Sequence, residues 1–457
     1  MAAFFGADEI WNIQSSECSE EPVILVGVYN TDGSEYASEK DFYHSLDELA
    51  ELSKACNMTP IYTITQQLPQ VDKALYVRSG KAEEIAFYAE DMEAERIIFN
   101  DTLSPSQIRN LQKVINKPVT DRTRLILDIF ERRAGSREAK LQVELAKLSY
   151  LKPRLIGMWE TQNRQGGASG AMSSKGEGEK QLEIDRRTID SRLAELRREI
   201  KEISKERKTQ RKKRQNSGIP MVALIGYTNA GKSTIMNSLI EGFKNETAKA
   251  DKKVFEADMV FATLDTTVRK IRIEKGKEFL LSDTVGFIRH LPTSLVEAFK
   301  STLEEVTEAD LLLQVVDASD EYAHDHIEVT KSIITELGAG GIPMITVFNK
   351  ADKCDPPIDY PRRGLKETTV DGDINENIYI SAKESESITF LTSIVTEKLN
   401  AGNINMELTI PYSKGNVQAY IMDNSVVSRL DYLDEGIFMQ IRCKKSVAGR
   451  IAKMLEQ

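Results

Sequence analysis

The sequence predicts an α/β protein: a mostly parallel sheet with helices on both faces, preceded by an α/β N-terminal domain and a long helical hairpin, and followed by a small α/β domain. Three observations carry this reading. Short β-branched runs alternate with helical patterns in the first quarter of the chain and again in its second half, as parallel α/β units do. Between these regions lies a stretch with no strand runs, in which apolar residues recur at spacings of three and four. A length of 457 residues allows about three domains or more.

Residues 1–130 make the first α/β unit. VILVGVY (23–29), PIYTITQ (60–66) and RIIFN (96–100) read as strands, and HSLDELAELSKAC (44–56), KAEEIAFYAEDM (81–92) and LSPSQIRNLQKVI (103–115) as helices. No catalytic motif lies among them, so an additional ATP site in this unit has no sequence support.

Residues 131–217 read as an antiparallel helical hairpin. Leu141, Leu145, Leu148 and Leu151 form one apolar stripe, and Ile189, Leu193, Leu196, Ile200 and Ile203 alternate by four and three, the seam of a coiled coil. GMWETQNRQGGASGAMSSKGEGEKQ (157–181) between them reads as a long polar loop, with Arg164, Lys175 and Lys180 interspersed. Residues 131–216 hold 23 basic and 13 acidic side chains, a strongly positive region inside a chain of net charge −10. Such a run is often only the solvated face of a coiled coil; with a glycine-rich tip it also suits a basic arm on a nucleic-acid backbone. RKKRQNSGIP (211–220) reads as the linker to the next domain.

Residues 218–402 carry the chemistry. Met221-Val222-Ala223-Leu224-Ile225 is a buried-strand run leading into Gly226-Tyr227-Thr228-Asn229-Ala230-Gly231-Lys232-Ser233, which has the form G-x-x-x-x-G-K-[ST], and the motif opens into the helical STIMNSLIEGF (233–243), with Thr234 beside the motif. Backbone N–H groups at such a strand–loop–helix junction cradle phosphates, the lysine reaches the β and γ oxygens, and the serine hydroxyl binds Mg2+. After the strand PMITVF comes Asn349-Lys350-Ala351-Asp352, whose carboxylate accepts the guanine N1–H and 2-amino group, a donor pair adenine lacks. GTP is therefore favoured over ATP. Ser381-Ala382-Lys383, after NIYI, falls where a loop closing over the base belongs.

The strand EFLLSD delivers Asp283-Thr284-Val285-Gly286, a D-x-x-G in which Asp283 would hold Mg2+ through water and the Gly286 N–H would meet the γ-phosphate. Phe287 follows, where many GTPases carry a water-positioning glutamine. The polar segment before it contains Phe261-Ala262-Thr263-Leu264-Asp265, and Thr263 suits a switch residue that contacts the γ-phosphate and Mg2+. Thr266 and Thr267 suit that role equally on spacing. The motifs together predict a GTPase that hydrolyses GTP to GDP and phosphate with bound Mg2+.

Residues 403–457 read as the small α/β domain, with a strand near EGIFMQIRC and a helix near AGRIAKML. The chain has no apolar run long enough to span a membrane and no secretory signal pattern, so a cytoplasmic, monomeric protein is expected. Cys18, Cys56, Cys354 and Cys443 are scattered and read as reduced thiols. His324-Asp325-His326 reads as the surface start of a helix rather than a metal site.

The chain resembles the HflX family, ribosome-associated GTPases of the Obg–HflX-like branch of the TRAFAC P-loop group. The resemblance rests on LSPSQIRNLQ and VTDRTRLILDIFERRAGSREAKLQVELAKLSYLKPRL within 103–155, GEGEKQLEIDRR (176–187), GYTNAGKST (226–234), FATLD (261–265), DTVGF (283–287) and NKAD (349–352). It selects Thr263, the threonine of FATLD, as the switch ligand of Mg2+ beside Ser233. The family's usual FATLDPTTR is FATLDTTVR here, and the hairpin loop departs from the family's glycine-arginine-proline wording. The resemblance implies a factor that binds the large ribosomal subunit and splits stalled or hibernating ribosomes, with residues 131–216 reaching ribosomal RNA. It also implies slow intrinsic turnover, with the ribosome completing a site that has a hydrophobic residue at 287. A GTP-gated scaffold for RNA or protein, with hydrolysis as a timer, is the alternative.

Overall fold

A computed structural model describes residues 21–32, 36, 38–165, 174–215, 219–243, 267–274, 277–284, 286–288, 305–364, 367–368, 374–400 and 403–456. The chain divides into two compact units, Met1–Ile129 with Tyr150–Leu182, and Phe130–Ser149 with Glu183–Gln457.

The first unit is built on a parallel sheet of order β2-β1-β3-β4, formed by β1 (Glu21–Asn30), β2 (Met58–Leu68), β3 (Arg96–Phe99) and β4 (Val119–Asp121). Val23, Ile24, Leu25 and Val26 are all buried, as a central strand covered on both faces requires. The helices are α1 (Glu39–Ala55), α2 (Ser79–Asp91), α3 (Pro105–Ile115) and α4 (Arg122–Arg133). α1 starts earlier than its apolar pattern suggests, because the Ser38 side chain caps it by accepting the Asp41 N–H. α3 has a capping box between Ser104 and Gln107, and ends at Asn116 in the left-handed conformation. At the carboxyl end of this sheet, Asp121 is fully buried and accepts from the Leu103 and Arg124 N–H groups and the Tyr150 hydroxyl, with Arg154 Nη2 3.0 Å away. Burial pushes its carboxyl pKa up against the opposing pull of Arg154 and these hydrogen bonds.

The helical hairpin consists of α5 (Arg137–Gln165) and α6 (Ser174–Gln215). Glu138 pairs with Arg207 at 2.7 Å and Glu144 with Arg192 at 2.8 Å, so rising numbers on α5 meet falling numbers on α6. The helices are antiparallel. Of the expected stripes, Leu141, Leu151, Ile189, Leu193 and Leu196 are buried. Two expectations are corrected. The loop expected at 157–181 is helical through Gln165 and again from Ser174, and the linker expected at 211–220 is helical through Gln215. Both stretches are dominated by Glu, Gln, Lys and Arg, strong helix formers, and the isolated glycines in 176–178 cost only about 1 kcal/mol each.

The second unit also holds a sheet of order β10-β12-β9-β8-β5-β7-β6, with β11 pairing β12. Its strands are β5 (Met221–Gly226), β6 (Thr267–Glu274), β7 (Lys277–Asp283), β8 (Leu311–Asp317), β9 (Met344–Asn349), β10 (Arg362–Arg363), β11 (Glu367–Thr368) and β12 (Ile374–Tyr379). The five strands from β12 to β7 are parallel, and β6, β10 and β11 are antiparallel additions. α7 (Lys232–Gly242) and α9 (Ser385–Asn400) bury Ile235, Leu239, Leu391 and Ile394 in one apolar cluster, while α8 (Ala323–Glu336) places Ile334 in another with Ala223, Ile225 and Leu312. Alternate residues of β5 enter the two clusters, so both faces are covered. This is the expected mostly parallel α/β layer.

The last segment is a three-stranded antiparallel sheet, β13 (Asn403–Ile410), β15 (Gly436–Lys444) and β14 (Val426–Leu433) in that order, with α10 (Gly415–Asn424) and α11 (Lys445–Glu456). Val417, Ile421, Met439, Ile441 and Ile451 are its core. No described helix is long and apolar enough to cross a membrane.

Candidate nucleotide-binding site

The site lies at the carboxyl ends of β5, β7, β8 and β9, where open parallel sheets gather ligand-binding loops. β5 ends at Gly226, whose φ of +141° and close approach to β8 admit only glycine: a Cβ there would lie 2.2 Å from the Val315 carbonyl oxygen. Gly231, at φ +96°, starts α7, and a Cβ on it would lie 2.2 Å from Asn349 Nδ2. No side chain caps this helix, so its first N–H groups face the loop.

Lys232 is buried, and its Nζ donates to the carbonyls of Gly226 at 3.0 Å and Tyr227 at 2.6 Å. Burial lowers its pKa to about 8, with the Asp283 charge pulling the other way. Ser233 Oγ donates to Asp283 Oδ2 at 2.8 Å, and Thr284 Oγ1 donates to the Leu224 carbonyl at 2.6 Å. The loop and the D-x-x-G strand end are thus joined through side chains.

They are joined through the backbone as well. The Thr228 N–H donates to the Phe287 carbonyl at 2.9 Å, and the Phe287 N–H donates to the Gly226 carbonyl at 3.1 Å. Gly286 packs against the loop so closely that a Cβ would sit 2.8 Å from Thr228 Cγ2. The Phe287 ring is 2% exposed and belongs to the apolar cluster of Ile225, Val306 and Leu312.

Asn349 ties its own strand end to the G-x-x-x-x-G-K-S loop and to Ala382. Its Nδ2 donates to the Ala230 carbonyl at 2.9 Å, and its Oδ1 accepts the Ala382 N–H at 2.9 Å. Lys350, left-handed at φ 61°, pairs with Asp317 at 2.8 Å, and the Ala351 N–H donates to the Ile380 carbonyl at 3.1 Å. Asp352 and Lys383 are exposed, whereas Ser381 and Ala382 are buried. Asn229, at φ 59°, is exposed at the crest of the loop. Residues 261–265 and Val285 lie outside the described residues.

Residues 43–131 match the family described as GTP-binding GTPase N-terminal, residues 133–214 the GTP-binding GTPase middle region, and residues 221–350 the 50S ribosome-binding GTPase family. The chain is 38% identical over 436 residues to the GTPase HflX of Caldanaerobacter subterraneus subsp. tengcongensis, covering 95% of this chain and 94% of that protein. The chain belongs to the HflX family. It is likewise 46% identical over 333 residues to the GTPase HflX of Alkalihalophilus pseudofirmus, covering 73% of this chain and 74% of that one. A crystal structure of a GTP-binding protein from Sulfolobus solfataricus in complex with GDP aligns with 83% of this chain and 99% of its own at TM-score 0.42 and 21% identity.

As an HflX-family member the protein is a GTPase. Gly226, Lys232, Ser233, Asp283, Gly286, Asn349 and Ala382 meet across four strand ends. One expectation is overturned: His324 and Asp325 are exposed as predicted, but His326 is buried and stacks on Tyr227, with ring centroids 3.7 Å apart. A polar tripeptide at a helix start reads as surface, and only the tertiary contact brings its third residue against Tyr227. Asp317, the partner of Lys350, carries no motif of its own; its place at the end of a buried apolar strand, LLLQVVD, is the signal the sequence offers.

Proposed function

We propose that this HflX-family GTPase uses GTP binding and hydrolysis to act on the large ribosomal subunit, splitting or rescuing stalled or hibernating ribosomes, as a cytoplasmic monomer. The observation that carries the proposal is the coupling, in one chain, of a GTP site to the hairpin of residues 131–216, which has 23 basic against 13 acidic side chains. That hairpin presents the charge a ribosomal RNA backbone attracts. The likeness of residues 221–350 to a family described as 50S ribosome-binding GTPase supports the same reading.

At the nucleotide, Gly226 to Thr234 cradle the phosphates, with Lys232 as their counter-charge, and Asp352 reads guanine while Ser381, Ala382 and Lys383 close over it. The Ser233 hydroxyl, 2.8 Å from a buried Asp283 carboxylate, provides the hard oxygen donors that suit Mg2+. Ser233 and Thr263 would hold the ion directly and Asp283 through water; Mg2+ would neutralise phosphate charge. Phe287 supplies no hydrogen bond to the attacking water, so the ribosome completes the catalytic set.

The test is sedimentation of the full chain with large subunits in GTP and in GDP, together with GTP turnover with and without ribosomes. Pelleting in GTP and faster turnover on ribosomes are expected. Absence of both refutes the proposal.

A further inference from the structure

Tyr227 links the start of the phosphate loop to Lys232 through its carbonyl and to α8 through its ring. Its carbonyl accepts from Lys232 Nζ at 2.6 Å, and the backbone groups on either side of it bond to Phe287. Its ring lies flat on the His326 imidazole, with centroids 3.7 Å apart and planes 11° from parallel. The position of this ring therefore sets the position of the loop's first turn.

His326 is fixed in its turn. It sits in the first turn of α8, where its N–H donates to the Tyr322 carbonyl at 3.0 Å and its carbonyl accepts from Thr330 Oγ1 at 2.8 Å. Nδ1 lies 3.4 Å from Asp320 Oδ2, and the same carboxylate accepts the Tyr322 N–H at 2.9 Å. The side chain is 5% exposed. It is a rigid platform, delivered by the loop that follows β8. The start of that loop, Asp317, holds Lys350 on the base side of the site at 2.8 Å. One connection thus touches the phosphate side at one end and the base side at the other.

We propose that His326 is a positioning residue for the nucleotide site, holding the phosphate loop in its binding geometry through the stack on Tyr227. It touches neither GTP nor the reacting atoms. Because the stack is present before and throughout the reaction, its loss weakens ground state and transition state alike, which raises KM while leaving kcat nearly unchanged. The inference rests on the reading of residues 226–233 as the phosphate loop.

The experiment measures GDP affinity of the nucleotide-free full chain by calorimetry, and GTP turnover, for His326→Ala, His326→Phe and Lys232→Ala, below each variant's melting transition. His326→Ala is expected to bind GDP about fivefold to tenfold more weakly, the scale of one aromatic pair, with turnover at saturating GTP within about twofold of the parent. His326→Phe, which keeps a flat ring without the Asp320 contact, is expected to retain affinity within about twofold. A packing role alone would lower the melting temperature and leave the affinity of the folded protein untouched. Parental GDP affinity in His326→Ala overturns the proposal, as does an equal loss in His326→Phe. Lys232→Ala separates the two readings: if it too binds GDP as the parent does, the phosphate-loop assignment fails; if it loses binding while His326→Ala does not, only the stack is refuted.

Discussion

Thr228 and Phe287 are joined main chain to main chain: the Thr228 N–H donates to the Phe287 carbonyl at 2.9 Å, while the Phe287 ring, 2% exposed, is buried in the core. The residue after DTVG therefore fastens the phosphate loop with its backbone and anchors the strand end with its side chain. Gly226 accepts the return bond from the Phe287 N–H at 3.1 Å, so the two segments form a short parallel bridge. A side chain at 287 that served the attacking water would have to leave the apolar cluster of Ile225, Val306 and Leu312 to do so.

Phe287→Gln is accordingly predicted to lose stability rather than gain catalysis. It replaces a buried ring by an amide whose polar atoms find apolar neighbours, at a cost of about 3 kcal/mol. Urea denaturation should show that loss, and turnover without ribosomes should not rise. A variant as stable as the parent that hydrolyses GTP faster would show that the side chain can reach the water.

Lys232 gives a pH dependence of known sign. Its folded pKa is lowered to about 8, below the value near 10.4 of a free lysine, because burial penalises the charge. Between these values the unfolded chain binds more protons, so the stability of the nucleotide-free protein should rise as pH increases from about 8 to about 10.4 and be lowest below about 8. Nucleotide affinity should move the other way, since phosphate needs the charged amine. Lys232→Met should flatten the stability rise between pH 7 and 10, measured by thermal melting without nucleotide, and should abolish tight GTP binding. A rise that survives in Lys232→Met would assign it to another group.

These features differ in how far local sequence encodes them. The strands were legible because a parallel strand covered on both faces is a continuous apolar run, as in Met221–Gly226 and Leu311–Asp317. The phosphate loop was legible because Gly226 and Gly231 occupy backbone conformations and close approaches that admit no side chain. β4 and α4 were missed: three residues, Val119–Asp121, are too few for a period, and the helix begins at the next residue without a turn signal. The burial of Phe287 and the stack of His326 on Tyr227 depend on residues far apart in sequence, which no local pattern carries. α5 and α6 extend beyond their apolar periodicity because the Glu, Gln, Lys and Arg around the glycines favour helix without adding to an apolar stripe.

Asn349 joins three segments: its own strand end, the phosphate loop at Ala230 and the loop at Ala382. Asn349→Ala removes the bonds to the Ala230 carbonyl and the Ala382 N–H, both buried, so a destabilisation of about 2–4 kcal/mol is expected. Because those bonds hold the phosphate loop against the loop at Ala382, GDP affinity should fall even where the protein remains folded. Calorimetric titration at low temperature, with urea melts alongside, checks both. Unchanged affinity in a destabilised variant would reduce Asn349 to a packing residue.

Asp352 is placed by its neighbours in the chain. Lys350 turns the chain in the left-handed conformation and is held by Asp317, and the Ala351 N–H is fixed to the Ile380 carbonyl at 3.1 Å, which leaves the next side chain exposed above the strand ends. An exposed carboxylate in a fixed backbone is suited to accept two donors from one base edge, and guanine presents N1–H beside its 2-amino group. Xanthine carries a carbonyl in place of that amine and needs a donor opposite it. Asp352→Asn supplies an amide that offers one acceptor and one donor, so the preference should move from guanosine to xanthosine nucleotides by about tenfold or more, without a change in melting temperature. Competition between GDP and xanthosine diphosphate on parent and variant measures the shift. If the ratio of the two affinities stays where it was, Asp352 does not read the base.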